Sequence, residues 1–392
     1  MSVTENFFIE CVKMGIKGEK ISVLPENIDY KYLYKLCAAH SVSVIVFRAL
    51  ETVSGELLPQ FYRALETLAH RHVIRDVQSK HDIATVISAL EEENLSLMPL
   101  KGYYLKELYP TTDMRYASDC DILIDTAQLK EVRALMSRLG LEVEKLDEHH
   151  DVYYHPATKT VFEMHKRLFV GPLEKYFGIG FERAHLKQGS NCFYELSPED
   201  FYISILAHSA YHFAEAAGVG IRHLTDIYLY RKANKLDYSY LDAELKACGL
   251  LSFKDRFEAL ADYFFSDAAA DEFTLKLAEH VIESSVLSNE AKQSASGIAD
   301  NMTDDTANAK KRTLFRILFP NREFMSFSYP VLKRVPLLLP IFYFVRWIHV
   351  IFTRPGNIKK LKKISSSDLD EAVFMRDLRT VLGINHINIS SE

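Results

Sequence analysis

Residues 119–125 read DCDILID, and this stretch decides the class of fold. An apolar run with acids at alternate positions is typical of a strand, in which successive side chains point to opposite faces of a sheet. Asp119 and Asp121 therefore face the same way, whereas Cys120 points into the sheet. Two carboxylates about 7 Å apart on one strand repel each other unless a cation lies between them, so the strand is a candidate metal site.

A further acid occurs on a later predicted strand. Residues 160–165 read TVFEMH, in which Glu163 and His165 share one face, while Phe162 and Met164 share the other. If this strand lies beside the strand of Asp119, Glu163 completes a cluster of three carboxylates. Such a cluster can hold two metal ions, one at the attacking oxygen and one at a triphosphate.

A lysine and a glycine stand upstream, between a predicted strand at 95–100 and a predicted helix at 103–109. Gly102 at a strand-to-helix turn allows the backbone to approach a phosphate, and the N-terminus of the helix offers free N–H groups. Lys101 adds a point charge for the phosphates. These features predict a phosphate-binding turn.

Four quoted stretches carry a family resemblance: LKGYYLKELYP at 100–110, DMRYASDCDILID at 113–125, LMSRLGLE at 135–142 and VFEMH at 161–165. Their order resembles the polymerase-β-type nucleotidyltransferase superfamily. More narrowly, it looks like a family of uncharacterised bacterial nucleotidyltransferases with a K-G turn and an R-x-x-x-D-x-D strand. The resemblance covers roughly residues 30–350, with the specific motifs between 100 and 230.

The resemblance implies transfer of a nucleoside monophosphate from a nucleoside triphosphate such as ATP to a hydroxyl-bearing acceptor, with release of pyrophosphate. Two Mg²⁺ ions would assist this transfer. The implied metal-binding and catalytic residues are Asp119, Asp121 and Glu163, and the implied phosphate-binding residues are Lys101, Gly102 and Arg115. The acceptor stays open: a small molecule such as a sugar or an antibiotic, a protein side chain or an RNA end.

Two positions depart from the family pattern. Tyr103 follows Gly102, where the wider superfamily usually has serine or glycine. Lys166 follows His165, where relatives tend to carry tryptophan. Because of Tyr103, the way in which the turn would bind the triphosphate differs from the usual family pattern.

The helical half of the chain offers further candidate residues for the cleft, together with His165. His208 and His212 lie four apart, as do Arg222 and Asp226, so each pair shares a helix face. The histidines are alternatively core residues or a zinc pair without an evident third ligand. Arg222 and Asp226 are alternatively a local ion pair.

The predicted fold is α+β, with a small mixed sheet embedded between helical regions. We expect an N-terminal helical region at 1–94, a nucleotidyltransferase core at 95–196, a helical domain at 197–300 and a C-terminal region at 301–392. The last comprises a basic, aromatic-rich segment and a polar tail. Residues 301–309, NMTDDTANA, are a candidate linker.

Charge is distributed unevenly along the chain. The net charge is −6, yet residues 310–363 contain thirteen lysines and arginines against one acid, Glu323, which leaves −18 for the rest. A basic segment on an acidic body indicates a contact with nucleic acid, a peripheral contact with a membrane, or packing on the body itself. The apolar residues 335–352 include two prolines, an arginine and a histidine, and are not expected to span a membrane.

The five cysteines are widely spaced and form no C-x-x-C motif, which favours a reducing, cytoplasmic location over a disulfide framework. The N-terminus lacks the pattern of a signal peptide. The leading hypothesis is a Mg²⁺-dependent nucleotidyltransferase. The alternatives are a non-catalytic interaction protein that uses the basic segment on an anionic partner, and a hydrolase or toxin on the same scaffold.

Overall fold

The computed structural model describes residues 1–117, 119–169, 172–178, 180–216, 218–283, 298–299, 308–353 and 369–387. The chain divides into two compact units, one comprising residues 1–209 and 220–286, the other residues 210–219 and 287–392. The division into four regions that the sequence suggests, at 1–94, 95–196, 197–300 and 301–392, stays a prediction.

The first unit contains most of the helices and all of the described strands. Its helices are α1 Val3–Ile16, α2 Tyr30–Ala39, α3 Ser43–Ala49, α4 Pro59–Glu92, α5 Lys101–Leu105, α6 Leu129–Arg138, α7 Pro172–Phe177, α8 Pro198–Ala216, α9 Ile221–Ala233, α10 Tyr238–Ala247, α11 Leu251–Phe265 and α12 Glu272–Glu283, of which α8 continues into the second unit. Its strands are β1 Leu97–Pro99, β2 Asp119–Ile124, β3 Glu142–Leu146, β4 His150–Tyr154, β5 Val161–His165, β6 Ala184–Leu186 and β7 Tyr194–Leu196.

A five-stranded mixed sheet in the order β1-β2-β5-β4-β3 forms the centre of this unit. β2 and β5 pair in parallel, and the other neighbours pair antiparallel. The parallel pair needs a crossover, which α6, β3 and β4 supply. The predicted α+β class, with a small mixed sheet among helices, is confirmed.

One face of the sheet is covered by helices. Cys120, Phe162 and Met164 point to this face and pack with residues of α4 and α6 such as Ile87 and Met136. Gly140, with a φ of +74°, ends α6 in the left-handed conformation expected of a C-terminal glycine. The alternation along β2 and β5 therefore leaves their polar side chains for the opposite face.

The long helix α4 begins at Pro59, because proline is well tolerated in the first turn and the run that follows has no breaker. One helix begins earlier than the sequence indicates. α5 begins at Lys101, so the lysine and Gly102 lie in the first turn of this helix and not in a turn before it.

A second sheet of β6 and β7 was not predicted. It brings Tyr194 and Leu196 onto Met98 and Leu123 of the main sheet, on the same side as the polar face of β2. Strands of three residues are too short for a clear alternation of polar and apolar side chains, which explains the omission. This small sheet closes one end of the polar face.

His40 is fully buried and makes two hydrogen bonds through its ring. Nε2 is 2.9 Å from the carbonyl oxygen of Ile282, and Nδ1 accepts from the amide of Ile221 at 3.1 Å. Burial lowers the pKa of His40 to about 4, although the bond to Ile282 opposes this. Protonation of Nδ1 would also remove the acceptor for Ile221.

We therefore expect acid to destabilise the first unit through His40. Below pH about 6.5 the unfolded chain binds a proton that folded His40 does not. The free energy of unfolding should then fall by on the order of 2–3 kcal/mol as the pH decreases to about 4, and level off below. Urea unfolding at a series of pH values, compared with His40→Gln, measures this, and equal slopes for the two proteins would contradict it.

The second unit is described by its helices. They are α13 Ala309–Leu318, α14 Arg322–Ser328, α15 Val331–Arg334, α16 Leu339–Thr353 and α17 Leu369–Leu382, with a 3-10 turn at Pro336–Leu338. α17 lies in the predicted polar tail, whereas most of the predicted linker at 301–309 lies outside the described residues. Within the described ranges, every helix is too short or too polar to cross a membrane.

Candidate active site

The two acidic strands lie side by side, as the sequence predicts. Asp121 of β2 is paired directly with Glu163 of β5, and Asp119 is paired with Val161. Directly paired residues point to the same face of a sheet, and so do residues two apart on one strand. Asp119, Asp121 and Glu163 therefore share the face opposite the α4–α6 core.

His165 lies between two of these acids. Its Nε2 is 3.2 Å from Oδ1 of Asp121 and 3.4 Å from Oε2 of Glu163. Potential ligand atoms of these three residues lie within 4.8 Å of one another, the one such group found among the described residues. Two carboxylates and an imidazole fit a divalent cation, while Asp119 stands two residues further along the strand.

His150 is a residue that the sequence did not single out. It lies on β4 directly opposite His165, with ring centroids 5.4 Å apart, and its Nε2 is 4.0 Å from Oε2 of Glu163. Only the antiparallel register of β4 on β5 brings it to the acids. Since that register is invisible without the fold, no sequence signal pointed to it.

The acids have unlike electrostatic surroundings. Partial desolvation, together with the charges of Asp121 and Glu163, raises the pKa of the Asp119 carboxyl. Desolvation would raise the pKa of the Asp121 carboxyl as well. The positive charges and hydrogen bonds of Lys101 and His165 outweigh this effect and hold the pKa below the usual range. Burial lowers the pKa of His165, yet its bonds to Asp121 and Glu163 prevail and raise it to about 9. The cluster thus uses cationic side chains to balance its negative charge.

Lys101 supplies one of these cations. Its Nζ is 3.6 Å from Oδ2 of Asp121 and donates to the imidazole of His208 on α8, at 2.7 and 2.9 Å from the two ring nitrogens. Burial lowers the pKa of Lys101, and the carboxylates of Asp121 and Asp119 oppose that effect. The predicted cleft residue His208 thus lies beside the predicted phosphate lysine, next to the acids.

Arg115, a predicted phosphate-binding residue, is held by helix α9. Its Nε and Nη2 each donate at 2.8 Å to the carboxylate of Asp226 on α9, which also accepts from the hydroxyl of Tyr109. Arg222 donates instead to the carbonyl of Tyr116 at 2.6 Å. The local pairing of Arg222 with Asp226 suggested by their spacing is therefore replaced by a pairing between distant segments.

Gly102 lies against this arginine. A Cβ at position 102 would come within 3.3 Å of Nη1 of Arg115, closer than most real contacts. The Arg115 guanidinium is fixed on Asp226 and has little freedom to withdraw. Glycine therefore allows α5 to approach Arg115.

The two departures from the family pattern have separate structural roles. Tyr103 lines a pocket of about 390 Å³ between α4, α5 and the start of β2, with Ile83, Ile87 and Asp119 also in its wall. Lys166 is buried and bonds at 2.6 Å to Asp151, away from the acids. Neither side chain contacts the three clustered ligands in the described contacts.

His212 is the one predicted cleft residue that belongs to the second unit. Its Nδ1 is 3.8 Å from Oε2 of Glu215, one turn along the same helix. His212 is not part of the potential metal-binding group found in the described part of the chain. Within the described ranges, the alternative of a zinc pair with His208 gains no third ligand.

Residues 26–266, more than half of the chain, match the profile of a family described as uncharacterised nucleotidyltransferase. The chain belongs to this family. It is therefore a nucleotidyltransferase, as the order of its K-G, D-x-D and acidic strand motifs predicted. No curated protein matches this nucleotidyltransferase with significant similarity.

Among solved structures, the nucleotidyltransferase is similar to the antibiotic-resistance factor ANT(2'')-Ia, whose solution structure is described as revealing substrate-regulated conformation dynamics. The match is 14% identical, covers 48% of this chain and 97% of the other, and has a TM-score of 0.33. A similarity of this extent carries no conclusion about the substrate.

Lys101→Ala should separate nucleotide binding from metal binding. Lys101 is a predicted phosphate-binding residue, and loss of its charged contact would cost about 1.5–3 kcal/mol or roughly 10–100-fold in Kd for a nucleoside triphosphate. It should bind Mn²⁺ at least as tightly as wild type, because the ammonium no longer competes for Asp121. Calorimetry with each ligand measures both constants, with Lys175→Ala, an exposed lysine of α7, as the control. Weakened Mn²⁺ binding in Lys101→Ala would contradict this arrangement.

Proposed function

We propose that this nucleotidyltransferase moves a nucleoside monophosphate from a nucleoside triphosphate to a hydroxyl-bearing acceptor and releases pyrophosphate, with Mg²⁺ held by Asp119, Asp121 and Glu163. The direct parallel pairing of Asp121 with Glu163, on the same face as Asp119, is the observation that supports it. A cytoplasmic location, where nucleoside triphosphates and Mg²⁺ are abundant, is part of the proposal.

Carboxylate oxygens are the ligands that Mg²⁺ prefers, and it usually completes its shell with substrate phosphates. Bound Mg²⁺, as two ions in this proposal, would polarise the α-phosphate and neutralise charge on the leaving pyrophosphate. Asp121 lies between Asp119 and Glu163 and is suited to contribute to both positions. His165, within 3.4 Å of Asp121 and Glu163, is suited to orient these carboxylates or to act as a further ligand.

The cationic side of the site would hold the triphosphate. Lys101 lies 3.6 Å from Asp121, so a phosphate oxygen that shares the metal with Asp121 also comes within reach of the ammonium. Gly102 keeps the backbone of α5 open to the phosphates, and Arg115 lies directly behind it. Tyr103 has no short hydroxyl that could bind a phosphate, so Lys101 would contribute a larger part of the binding energy for the triphosphate than in relatives with serine.

The reaction is an in-line displacement at the α-phosphorus. The acceptor oxygen forms a bond to this phosphorus as the bond to the pyrophosphate oxygen breaks, and the electrons of that bond leave with pyrophosphate. The hydroxyl proton passes to a carboxylate of the site, Asp121 or Glu163. Positioning and charge stabilisation supply most of the rate in such transfers.

The pocket beside Asp119 offers room for a further part of a substrate. Its wall combines the apolar Ile83 and Ile87 with the charged Lys80 and Glu91, a lining that suits a compact polar molecule with an apolar face. Its volume of about 390 Å³ falls in the range of ligand pockets. We propose it as the place of a small acceptor.

The proposal is tested by titrating each of the four nucleoside triphosphates into the full chain with Mg²⁺ and with EDTA, followed by an assay of pyrophosphate release with cell lysate as the acceptor source. Metal-dependent binding and release are expected. If none of the four nucleotides binds to the well-folded protein, the transfer reaction is excluded and the non-catalytic alternative is favoured.

A further inference from the structure

One face of helix α16 exposes a row of apolar side chains, here called the outward stripe. It consists of Ile341, Phe344, Val345 and Ile348, which are 58%, 62%, 43% and 59% exposed. Their spacing of three and four places them on one side of the helix, across an arc of about 100°. Leu337, just before the helix, is 89% exposed and extends this apolar surface.

The opposite face of α16 is fixed within the second unit. The Tyr343 hydroxyl donates to the carbonyl of Pro320 at 2.8 Å, and Arg346 donates to that of Ile317 at 3.1 Å. The indole N–H of Trp347 donates to the carbonyl of Leu318 at 2.8 Å. Because these bonds set the rotation of the helix, the outward stripe cannot turn inward without breaking them.

The segment that carries the outward stripe is rich in basic residues. Residues 308–353 contain eight lysines and arginines and one acid, Glu323. Lys333 and Arg334 are exposed and lie directly before the apolar surface. In the sequence, residues 354–363 add five more basic residues. An exposed apolar face of this kind marks an interaction site, and its setting attracts negative charge.

We propose that the outward stripe docks on an anionic lipid surface, with α16 lying in the plane of the interface. An interfacial helix buries Phe, Ile and Leu side chains at the boundary of the acyl chains, while lysine and arginine contact the headgroups. Binding to nucleic acid would use the charges and leave the apolar side chains exposed.

The docking surface is independent of the nucleotide reaction. It belongs to the second unit, whereas Asp119, Asp121 and Glu163 belong to the first. A test of lipid binding needs neither nucleotide nor metal, so its failure would leave the proposed transfer untouched.

The test is co-sedimentation of the full chain with vesicles of equimolar phosphatidylcholine and phosphatidylglycerol, and with phosphatidylcholine alone, at low and high salt. Trp347, the only tryptophan of the chain, lies on the opposite face of the docking helix, so sedimentation and not its fluorescence is the readout of docking. We expect binding to the anionic vesicles at low salt and weaker binding at high salt.

Two variants divide the apolar and charged contributions. Ile341→Ser/Phe344→Ser/Ile348→Ser and Lys333→Glu/Arg334→Glu should each lower the vesicle partition coefficient by about tenfold or more. Ile74→Ser/Val77→Ser, which removes a similarly exposed apolar pair from α4, is the control and should bind like wild type.

Three results would overturn the inference: no binding of wild type to anionic vesicles at low salt, equal binding by the stripe variant, or equal loss in the α4 control. Light scattering distinguishes self-association. A stable oligomer of wild type that the stripe variant converts to monomer would assign the outward stripe to a second copy of the chain instead of to lipid.

Discussion

Asp121→Asn and Glu163→Gln are each expected to lower the rate of nucleotide transfer by about 10³-fold, because a metal contributes several kcal/mol of charge stabilisation and each 1.36 kcal/mol is tenfold in rate. The two residues face each other across the β2–β5 pair, so they would hold the same cation. The double variant should therefore be little worse than either single one. Steady-state kinetics of pyrophosphate release measure the loss.

Glu144→Gln is the matched control, since Glu144 is an exposed acid on β3 of the same sheet. It should keep wild-type turnover. Mn²⁺ binding gives a readout that does not depend on the acceptor, and it should weaken in both site variants and not in the control. Turnover within tenfold of wild type for Glu163→Gln would remove Glu163 from the catalytic set.

Asp226→Ala should destabilise the protein by about 3–5 kcal/mol, the usual cost of removing one partner from a buried ion pair. Asp226 is 5% exposed and Arg115 is 7% exposed, so the arginine would be left as a buried charge without its partner. The hydroxyl of Tyr109 loses an acceptor as well. Chemical denaturation followed by far-UV circular dichroism measures the change.

The comparison variant is Glu272→Ala, which breaks an exposed pair with Lys276 one turn away on α12. Exposed pairs of this kind contribute about 0.3–0.5 kcal/mol. A change of similar size for both variants would show that the Arg115–Asp226 pair contributes little to stability. The role of the pair would then be to position Arg115 beside Gly102.

The acids were predictable from the sequence because each sits in a short apolar run whose period of two fixes its face. The pattern predicted that Asp119 and Asp121 share a face and that Cys120 does not, and the pairing with the strand of Glu163 is confirmed. Their role in metal binding stays a prediction.

The surroundings of the acids were less predictable, because they come from distant segments. The i, i+4 spacing within α9 suggested Arg222 as the partner of Asp226. In the structure Asp226 pairs with Arg115, which lies more than a hundred residues away. His150 reaches the site only through the register of β4. Side chains within one element follow from its period, whereas partners between elements depend on register and packing.

The parallel pairing of β2 and β5 also bears on the order of folding. Asp121 and Glu163 meet only after α6, β3 and β4 have crossed from one strand to the other. Such non-local pairings pay loop-closure entropy before they gain contacts, and they form slowly. During synthesis, Asp119 and Asp121 are made first, and Glu163 joins them only after the crossover segment is complete. The three carboxylates that are proposed to hold a metal ion thus come together late, once the central sheet has formed.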